Sequence, residues 1–361
     1  MSTPVLNASR RAVEQSGDSP TPPRHHAARA PIRFVAVLAL SLIAIAVTAT
    51  LGLMLGSHQV PAQVVWEAVT NYDAGNNQHL IVIQSRLPRT IVGLIAGGSL
   101  ALSGAIMQSL TRNPLADPGI LGVNAGASAA VVIAIAYLGV STINGYIWFA
   151  FIGAAGASVL VYALGNAQRG AGGPARIALA GSAVTIAISA VTNMVLISNE
   201  LTFSKFRYWT VGSLQGRDLD VSTTVLPFVL AGAVLALCLA PSLNALSLGE
   251  ETARSLGSRT RSVRALAAVC VVLTAGAATA AVGPIGFAGL AAPHVVRKLV
   301  GPNHTYLLPA SMCVGAAFLL LADVLGRIVV APGEIQTGIA AAALGGPIFI
   351  LLVRSRSFGA L

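Results

Sequence analysis

The chain has 361 residues, of which 55% are hydrophobic and only 9% are charged, and its formal net charge is +10. Soluble domains carry about 25% charged residues, so this composition excludes an ordinary soluble globular protein. The positive charge does not indicate nucleic-acid binding, because the basic residues stand in the loops that flank apolar stretches.

Residues 1–31 differ from the rest, since they are rich in Pro, Ser, Arg and Ala and show no periodicity. This composition predicts a disordered cytoplasmic tail. The Arg10-Arg11 pair could open a twin-arginine export signal, but the first apolar run begins far downstream and lacks a small-residue cleavage site. We therefore predict that this run is a retained first span and that residues 32–356 form the membrane domain.

Long uncharged stretches dominate the remainder of the chain. No charged residue occurs between Asp117 and Arg169, a stretch long enough for two spans. The run 265–296 is too long for one span, and Gly283-Pro284-Ile285-Gly286 predicts a turn followed by a short helix. The sequence predicts an all-α polytopic membrane protein of the cell membrane with about ten spans, at residues 34–56, 88–110, 119–138, 146–165, 175–198, 221–241, 262–282, 285–299, 306–330 and 336–353.

The distribution of basic residues predicts the orientation of these spans. With both termini in the cytoplasm, sixteen of the 22 Lys and Arg residues fall in inner segments. Such an excess on the inner side is what the positive-inside rule requires. Both termini are therefore predicted to be cytoplasmic.

The chain has no evident energy source of its own. It lacks the GxxxxGK[ST] phosphate loop. Asp323 is the one acidic candidate for an ion site within a span, but it precedes Arg327 by one helical turn, where an (i, i+4) pair satisfies itself. We predict a structural pair, with a proton or ion site as the alternative, and we expect energy to come from another chain.

The longest inner loop, at about residues 242–262, contains a short amphipathic segment. A helix that begins at Leu248 would place Leu248, Thr252 and Leu256 on one face. Acidic residues at its start and Gly257 after it match helix start and stop signals. This helix is predicted to be a docking element, and the alternative is a surface helix that lies in the headgroups.

Several short segments follow one another in an order that is typical of one family. They are Arg86-Leu87-Pro88-Arg89, Gly104-Ala105-Ile106-Met107-Gln108, Asn113-Pro114-Leu115-Ala116-Asp117-Pro118-Gly119-Ile120-Leu121-Gly122, Tyr208-Trp209, Gly212-Ser213-Leu214, Leu248–Gly257, Gly283-Pro284-Ile285-Gly286-Phe287-Ala288-Gly289-Leu290, Pro293-His294, Ala322-Asp323, Gly333-Glu334-Ile335 and Gly345-Gly346-Pro347. In these segments, residues 34–356 resemble the FecCD-type permease family of ABC importers, which carry ferric siderophores, haem or cobalamin.

The resemblance implies an assembly rather than an enzyme. Its expected partners are a second permease subunit, identical or paralogous, two cytoplasmic ATPase subunits and an extracytoplasmic solute-binding protein. It implies no catalytic residue, and we expect this chain to bind no cofactor or metal, because ATP and Mg belong to the partner ATPase. The cargo is expected to be a ferric siderophore.

The resemblance also implies roles for particular residues. The segment that would couple to the ATPase comprises Leu248, Gly249, Glu250, Glu251, Ala253, Arg254, Leu256 and Gly257. The residues that would be presented to acidic groups of the binding protein are Arg86, Arg89 and Arg327. The alternatives are arginines that snorkel to headgroups and, for Arg327, pairing with Asp323.

Two further segments lie near predicted span ends. Pro114 stops the second span, and it leaves Asn113 and Leu115 on irregular backbone that must be covered by protein or line a cavity. We interpret these two residues as part of an inner gate, against the alternative of a plain turn. The aromatic segment Phe203–Leu214 is predicted to be a short outer helix that anchors in the membrane interface.

The sequence thus predicts the permease subunit of an ATP-driven importer for a ferric siderophore. A cobalamin or haem importer of the same family is the alternative. A carrier driven by an ion gradient is a second class, and it would require Asp323 or Asp117 to titrate. An intramembrane enzyme is disfavoured, because no HExxH, paired acidic motif or nucleophile–base set occurs.

Overall fold

The computed structural model describes residues 30–140, 142–165, 174–255 and 257–354. These residues form helices, turns and loops, with no strand among them. Of the tail predicted at residues 1–31, positions 1–29 lie outside the described residues.

The helices are numbered here in chain order. They are α1 (Ala30–Met54), α2 (Ala62–Thr70), α3 (Asn77–Thr111), α4 (Val123–Tyr137), α5 (Ile143–Gly165), α6 (Pro174–Ser198), α7 (Glu200–Thr210), α8 (Leu219–Ser247), α9 (Glu250–Ser255), α10 (Thr260–Val282), α11 (Ala288–Val300), α12 (His304–Ile328) and α13 (Thr337–Arg354).

Each predicted span corresponds to one helix of the structure. In the part of the chain that is described, seven helices are long and apolar enough to cross a membrane, namely α1, α3, α5, α6, α8, α10 and α12. The helices α4 and α13 are apolar but shorter, and α11 is the short helix expected after the Gly283–Gly286 turn. The all-helical, polytopic fold class is confirmed.

The start of α3 differs from the prediction, which placed it at residue 88. The helix begins at Asn77 and passes through a π-helical turn at Ile81–Arg86. Polar residues interrupt the hydropathy there, but Val82 is fully buried against Val60, Val65 and Ala68 of the α1–α2 region. Tertiary packing therefore extends the helix beyond its apolar run.

α3 is the central helix of the bundle, buried along most of its length and packed against α8, α10, α11 and α12. Glycine makes this close packing possible. A Cβ on Gly104 would lie 1.7 Å from the carbonyl oxygen of Gly289 in α11, and one on Gly97 would lie 2.5 Å from that of Gly315 in α12. Small residues thus allow direct backbone contact between spans, as is usual in lipid.

The predicted short helix around residues 203–214 is present as α7, with its aromatic side chains divided between two faces. Phe206 and Trp209 are buried and their ring centroids lie 5.8 Å apart. Phe203 and Tyr208 are exposed. Only the second pair is available for the interfacial anchoring that the sequence predicted.

Candidate functional site

A buried ionic network occupies the end of the bundle where α3 begins and α12 ends. Arg89 of α3 donates from Nη2 to Asp323 Oδ1 at 2.8 Å and from Nε to both carboxylate oxygens at 3.1 Å. Arg327, one turn along α12, donates to Asp323 Oδ2, and Thr337 of α13 donates to Oδ1 at 2.8 Å. One carboxylate therefore joins three helices.

The network extends from this carboxylate to Glu334 and to the end of α1. Arg89 Nη1 lies 2.7 Å from Glu334 Oε2, in the loop before α13. Arg327 Nη1 donates to the carbonyl oxygen of Gly52 at 2.8 Å, and Arg86 donates to that of Leu53 at 2.6 Å. The last carbonyl groups of a helix have no partner within it, so the two arginines satisfy and electrostatically complement the C-terminus of α1.

The three arginines predicted to meet a binding protein are not presented at the surface in this conformation. Arg86, Arg89 and Arg327 are 6%, 7% and 2% exposed. The expectation that their charges face outward is corrected, because the guanidinium groups instead hydrogen-bond inside the chain. The alternative pairing of Arg327 with Asp323 is confirmed. The docking role stays a prediction.

The same geometry bears on the proposal of an ion site at Asp323. Its side chain is 1% exposed, and both carboxylate oxygens accept hydrogen bonds from arginine. A carboxylate saturated by two guanidinium groups and a hydroxyl has no open position for a carried cation. This arrangement favours the structural pair.

At the opposite end of the bundle, α9 carries four of the residues predicted to couple to an ATPase, namely Glu250, Glu251, Ala253 and Arg254. Gly257 has φ +81°, and its N–H donates to the carbonyl oxygen of Arg254 at 2.9 Å. Ser258 N–H donates to Ala253 oxygen at 2.9 Å. This pair of bonds is a Schellman motif, which needs the left-handed conformation that glycine adopts without strain. Gly257 therefore ends α9 as the sequence predicted.

The start of this helix was wrongly predicted. Leu248 lies outside α9, after the last turn of α8, and is 66% exposed. Gly249, with φ +119°, separates the two helices, so α9 begins at Glu250. A continuous helix from Leu248 would require helical dihedrals at Gly249. Leu256 lies outside the described residues.

The exposed face of α9 is polar. Glu251, Thr252 and Arg254 are exposed, whereas Ala253 is fully buried. Ala253 therefore packs inward, and the segment presents charged and hydroxyl groups outward. A partner that binds this segment meets those groups together with the exposed side chain of Leu248.

The predicted gate residues form a turn after α3. Arg112 has φ +48° and donates from Nη2 to the carbonyl oxygen of Leu246 at 3.1 Å, so the end of α3 is tied to that of α8. Asn113 Oδ1 accepts the N–H of Leu115 at 2.9 Å, and both residues are exposed. Locally this is the plain turn of the alternative interpretation; a gating role stays a prediction.

A polar cluster that was not predicted from the sequence lies at the same end of the bundle as α9. His304, at the start of α12, contacts Asn244 Oδ1 of α8 at 2.7 Å through Nδ1 and Ser109 Oγ of α3 at 2.5 Å through Nε2. The backbone N–H of His304 also donates to Asn244 Oδ1 at 2.8 Å. The cluster joins three helices near the coupling segment. The sequence feature that could have indicated the start of α12 at this cluster is Asn303, whose side chain caps the helix.

Metal-ligating side chains do not form a cluster within the described ranges. No group of three or more His, Cys, Asp or Glu side chains lies close enough there to hold a metal ion.

Comparison with known proteins gives consistent matches along the chain. Residues 42–355 match the FecCD transport family. The chain is 43% identical over 328 residues to the ferric enterobactin transport system permease protein FepD of Escherichia coli (strain K12), covering 91% of this chain and 97% of that protein. It is 38% identical over 341 residues to the cobalamin import system permease protein BtuC of Halobacterium salinarum, covering 91% and 90%.

The fold has a similar solved structure. That structure is a metal-chelate type ABC transporter in an inward-facing conformation. The TM-score is 0.78 at 29% sequence identity, and the match covers 88% of this chain and 98% of the other.

Proposed function

The chain belongs to the FecCD transport family of ABC importer permeases, and we propose that its cargo is a ferric siderophore. The observation that carries the proposal is the 43% identity to the ferric enterobactin permease over nearly the full length of both chains. The cobalamin permease, at 38% identity, supports cobalamin as the second candidate.

We further propose the assembly in which the chain works. It pairs with a second permease subunit, binds two ATPase subunits that hydrolyse ATP, and receives cargo from an extracytoplasmic binding protein. In the cell membrane, the α9 end of the bundle faces the cytoplasm, and both termini lie on that side. The excess of basic residues in the segments at this end supports the orientation.

The coupling contact is proposed to be the exposed face of α9. Glu251 and Arg254 present opposite charges on one short helix, a pattern that fixes register against a complementary surface. Movement of the ATPase would reach α3 and α12 through the His304 cluster, because α9 contacts α8 and the side chains of the cluster join α8 to α3 and α12.

The cargo and energy source are tested by uptake into right-side-out membrane vesicles that contain the full transporter. Iron-loaded catecholate siderophore, cobalamin and haem are supplied separately with the binding protein, with ATP trapped inside. The proposal expects siderophore uptake that needs ATP and survives an uncoupler. Preferred uptake of cobalamin or haem would refute the proposal that the cargo is a siderophore. Uptake abolished by the uncoupler despite internal ATP would indicate an ion-driven carrier.

The coupling contact is tested with a charge reversal. Glu251→Lys changes an exposed side chain of α9, and Asp220→Lys changes an exposed acidic residue at the opposite end of the bundle. We expect Glu251→Lys to reduce co-purification of the ATPase at least several-fold at low salt, and Asp220→Lys to leave it unchanged. Equal co-purification of both variants with wild type would remove α9 from the interface.

A further inference from the structure

A cleft of about 840 Å³ opens at the α9 end of the bundle. Its walls are the first turn of α1, the last turn of α8, the end of α11 and the start of α12. Two cations, Arg33 and Lys298, line it together with the side chains of Asn244 and Asn303. The described residues that line it include these two cations and no Asp or Glu.

A second cavity lies deeper, between α1, α11, α12 and α13. It has a volume of about 260 Å³ and is lined by Ala44 and Thr48 of α1, by the first half of α11, and by α12 residues that include Ala317. The Thr48 hydroxyl donates to the carbonyl oxygen of Ala44 at 2.7 Å, so it is already satisfied within its helix. The cavity is therefore an apolar slot.

The two cavities are separated by a distance that suits a lipid. Arg33 and Ala44 are eleven positions apart on α1, which corresponds to about 16 Å at 1.5 Å per residue. One leaflet contributes about 15 Å of hydrocarbon. A molecule with its headgroup in the cleft would have its acyl chain at the depth of the slot.

The seam between the cavities is apolar. The rings of Phe34 and Tyr306 lie 5.1 Å apart, directly after Arg33 and at the edge of the cleft. Below them Val37 packs on a cluster from α11 and α12 that includes Val296 and Leu307. Phe34, Val37 and Tyr306 are partly exposed, so the surface that α1 and α12 present changes from cationic to apolar below the cleft.

We propose that this seam is a binding site for an anionic phospholipid. Arg33 and Lys298 attract the headgroup phosphate, the amides of Asn244 and Asn303 can donate to its oxygens, and an acyl chain fills the slot. A free phosphate compound would share the headgroup chemistry but would leave the apolar slot without a role. Because the cleft includes Leu248, a bound lipid lies beside the coupling segment.

The site is tested on the purified full chain in detergent by native mass spectrometry. Dioleoyl phosphatidylglycerol is titrated against dioleoyl phosphatidylcholine, with inorganic phosphate and glycerophosphoglycerol as soluble competitors. Near a membrane surface each cation contributes about 1 kcal/mol, or about fivefold in affinity. Arg33→Gln/Lys298→Gln is therefore expected to weaken phosphatidylglycerol binding by about 25-fold.

Matched controls separate this site from general attraction. Arg259→Gln/Arg261→Gln removes two exposed cations at the same end, outside the cleft, and should leave binding unchanged. Ala317→Leu fills the slot and should weaken binding of the intact lipid, whereas Ala231→Leu on the exposed surface of α8 should not. Thermal melting of each variant establishes that it is folded. The lipid titrations of the wild-type protein test the proposal even if a variant does not fold.

Three results would overturn the proposal. The first is wild-type protein that binds phosphatidylglycerol no better than phosphatidylcholine. The second is equal weakening in the two double variants, which would mean non-specific charge attraction. The third is displacement of lipid by soluble phosphate compounds at equal affinity with no effect of Ala317→Leu, which would mean a free-phosphate site. Selective loss in the two cavity variants supports it.

Discussion

Arg89 and Asp323, 234 positions apart in the sequence, form a bidentate ion pair that is almost entirely shielded from solvent. The pair links the central helix α3 to α12, and Arg327 and Thr337 complete the coordination of the carboxylate. A buried charge is tolerated only when it is paired and hydrogen-bonded. The end of the bundle is thus fixed by one acidic side chain.

Replacement of that carboxylate should destabilise the protein strongly. Asp323→Asn leaves Arg89 and Arg327 buried without their main counter-charge, and loss of one partner of a buried pair costs about 3–5 kcal/mol. We expect a large fall in melting temperature in detergent. Glu334→Gln is the control, because Glu334 is more exposed. This substitution should lower the free energy of unfolding by less than about 1 kcal/mol. A similar melting temperature for Asp323→Asn and wild type would refute a structural role for the network.

The same network allows a test of the predicted docking role of the arginines. If an acidic group of a binding protein engages Arg89, it competes with Glu334, whose carboxylate lies 2.7 Å from Nη1. Glu334→Gln removes this competitor and should strengthen docking by up to about fivefold at low salt, since such pairs contribute about 0.2–1 kcal/mol.

Docking affinity is measured by titrating the binding protein onto the reconstituted transporter. Glu200→Gln is the matched control, because it neutralises an exposed carboxylate at the start of α7, at the same end of the bundle. Unchanged affinity for Glu334→Gln together with unchanged affinity for Arg89→Gln would exclude Arg89 from the docking site.

The sequence was sufficient to predict features that depend on local patterns. Hydropathy predicted a helix of the structure for each proposed span, seven of them long enough to cross a membrane in the described residues, and the spacing of Asp323 and Arg327 predicted their contact, because both signals act within one helix. Gly257 likewise predicted the end of α9. These predictions required no knowledge of how helices pack.

Features set by long-range packing could not be predicted in the same way. Nothing local pairs Arg89 with Asp323 or places His304 between Asn244 and Ser109. The start of α9 was missed because Gly249 could have continued a helix, and its positive φ follows from the path between α8 and α9. The exposure of Arg86, Arg89 and Arg327 was misjudged because the resemblance on which it rested gives no information on internal partners.

The contact between α3 and α11 predicts a severe effect for a single added methyl group. In Gly104→Ala the new Cβ would meet the Gly289 carbonyl oxygen at 1.7 Å, and backbone cannot move aside as a flexible side chain can. We expect the free energy of unfolding to fall by about 3 kcal/mol or more. The fall should be seen as a lower melting temperature and a smaller monodisperse fraction.

Gly156→Ala is the matched control for this substitution. Gly156 is also helical, but a Cβ there would have no atom within 4 Å. Alanine is favoured over glycine inside a helix by about 0.5–1 kcal/mol, so this variant should melt at or slightly above wild type. Equal behaviour of the two variants would contradict the close approach of α3 and α11.

Asp117, in the loop between α3 and α4, predicts a dependence of stability on pH. Burial raises the pKa of this carboxyl group above its usual value, although the N–H of Gly119 donates to Oδ1 at 2.8 Å and opposes the shift. A raised pKa means that the folded state binds the proton more tightly than the unfolded state. Stability is therefore highest when Asp117 is protonated, and it falls as the pH rises from about 4 through the raised pKa.

Asp117→Asn should remove this dependence while keeping an acceptor for Gly119. The variant is expected to melt several degrees higher than wild type at neutral pH, and the difference should vanish near pH 4. Asp73→Asn is the matched control, because Asp73 accepts the N–H of Gly75 at the same 2.8 Å but is exposed. It should melt like wild type at both pH values. A difference between Asp117→Asn and wild type that is equal at both pH values would show that burial of the charge is not its cause.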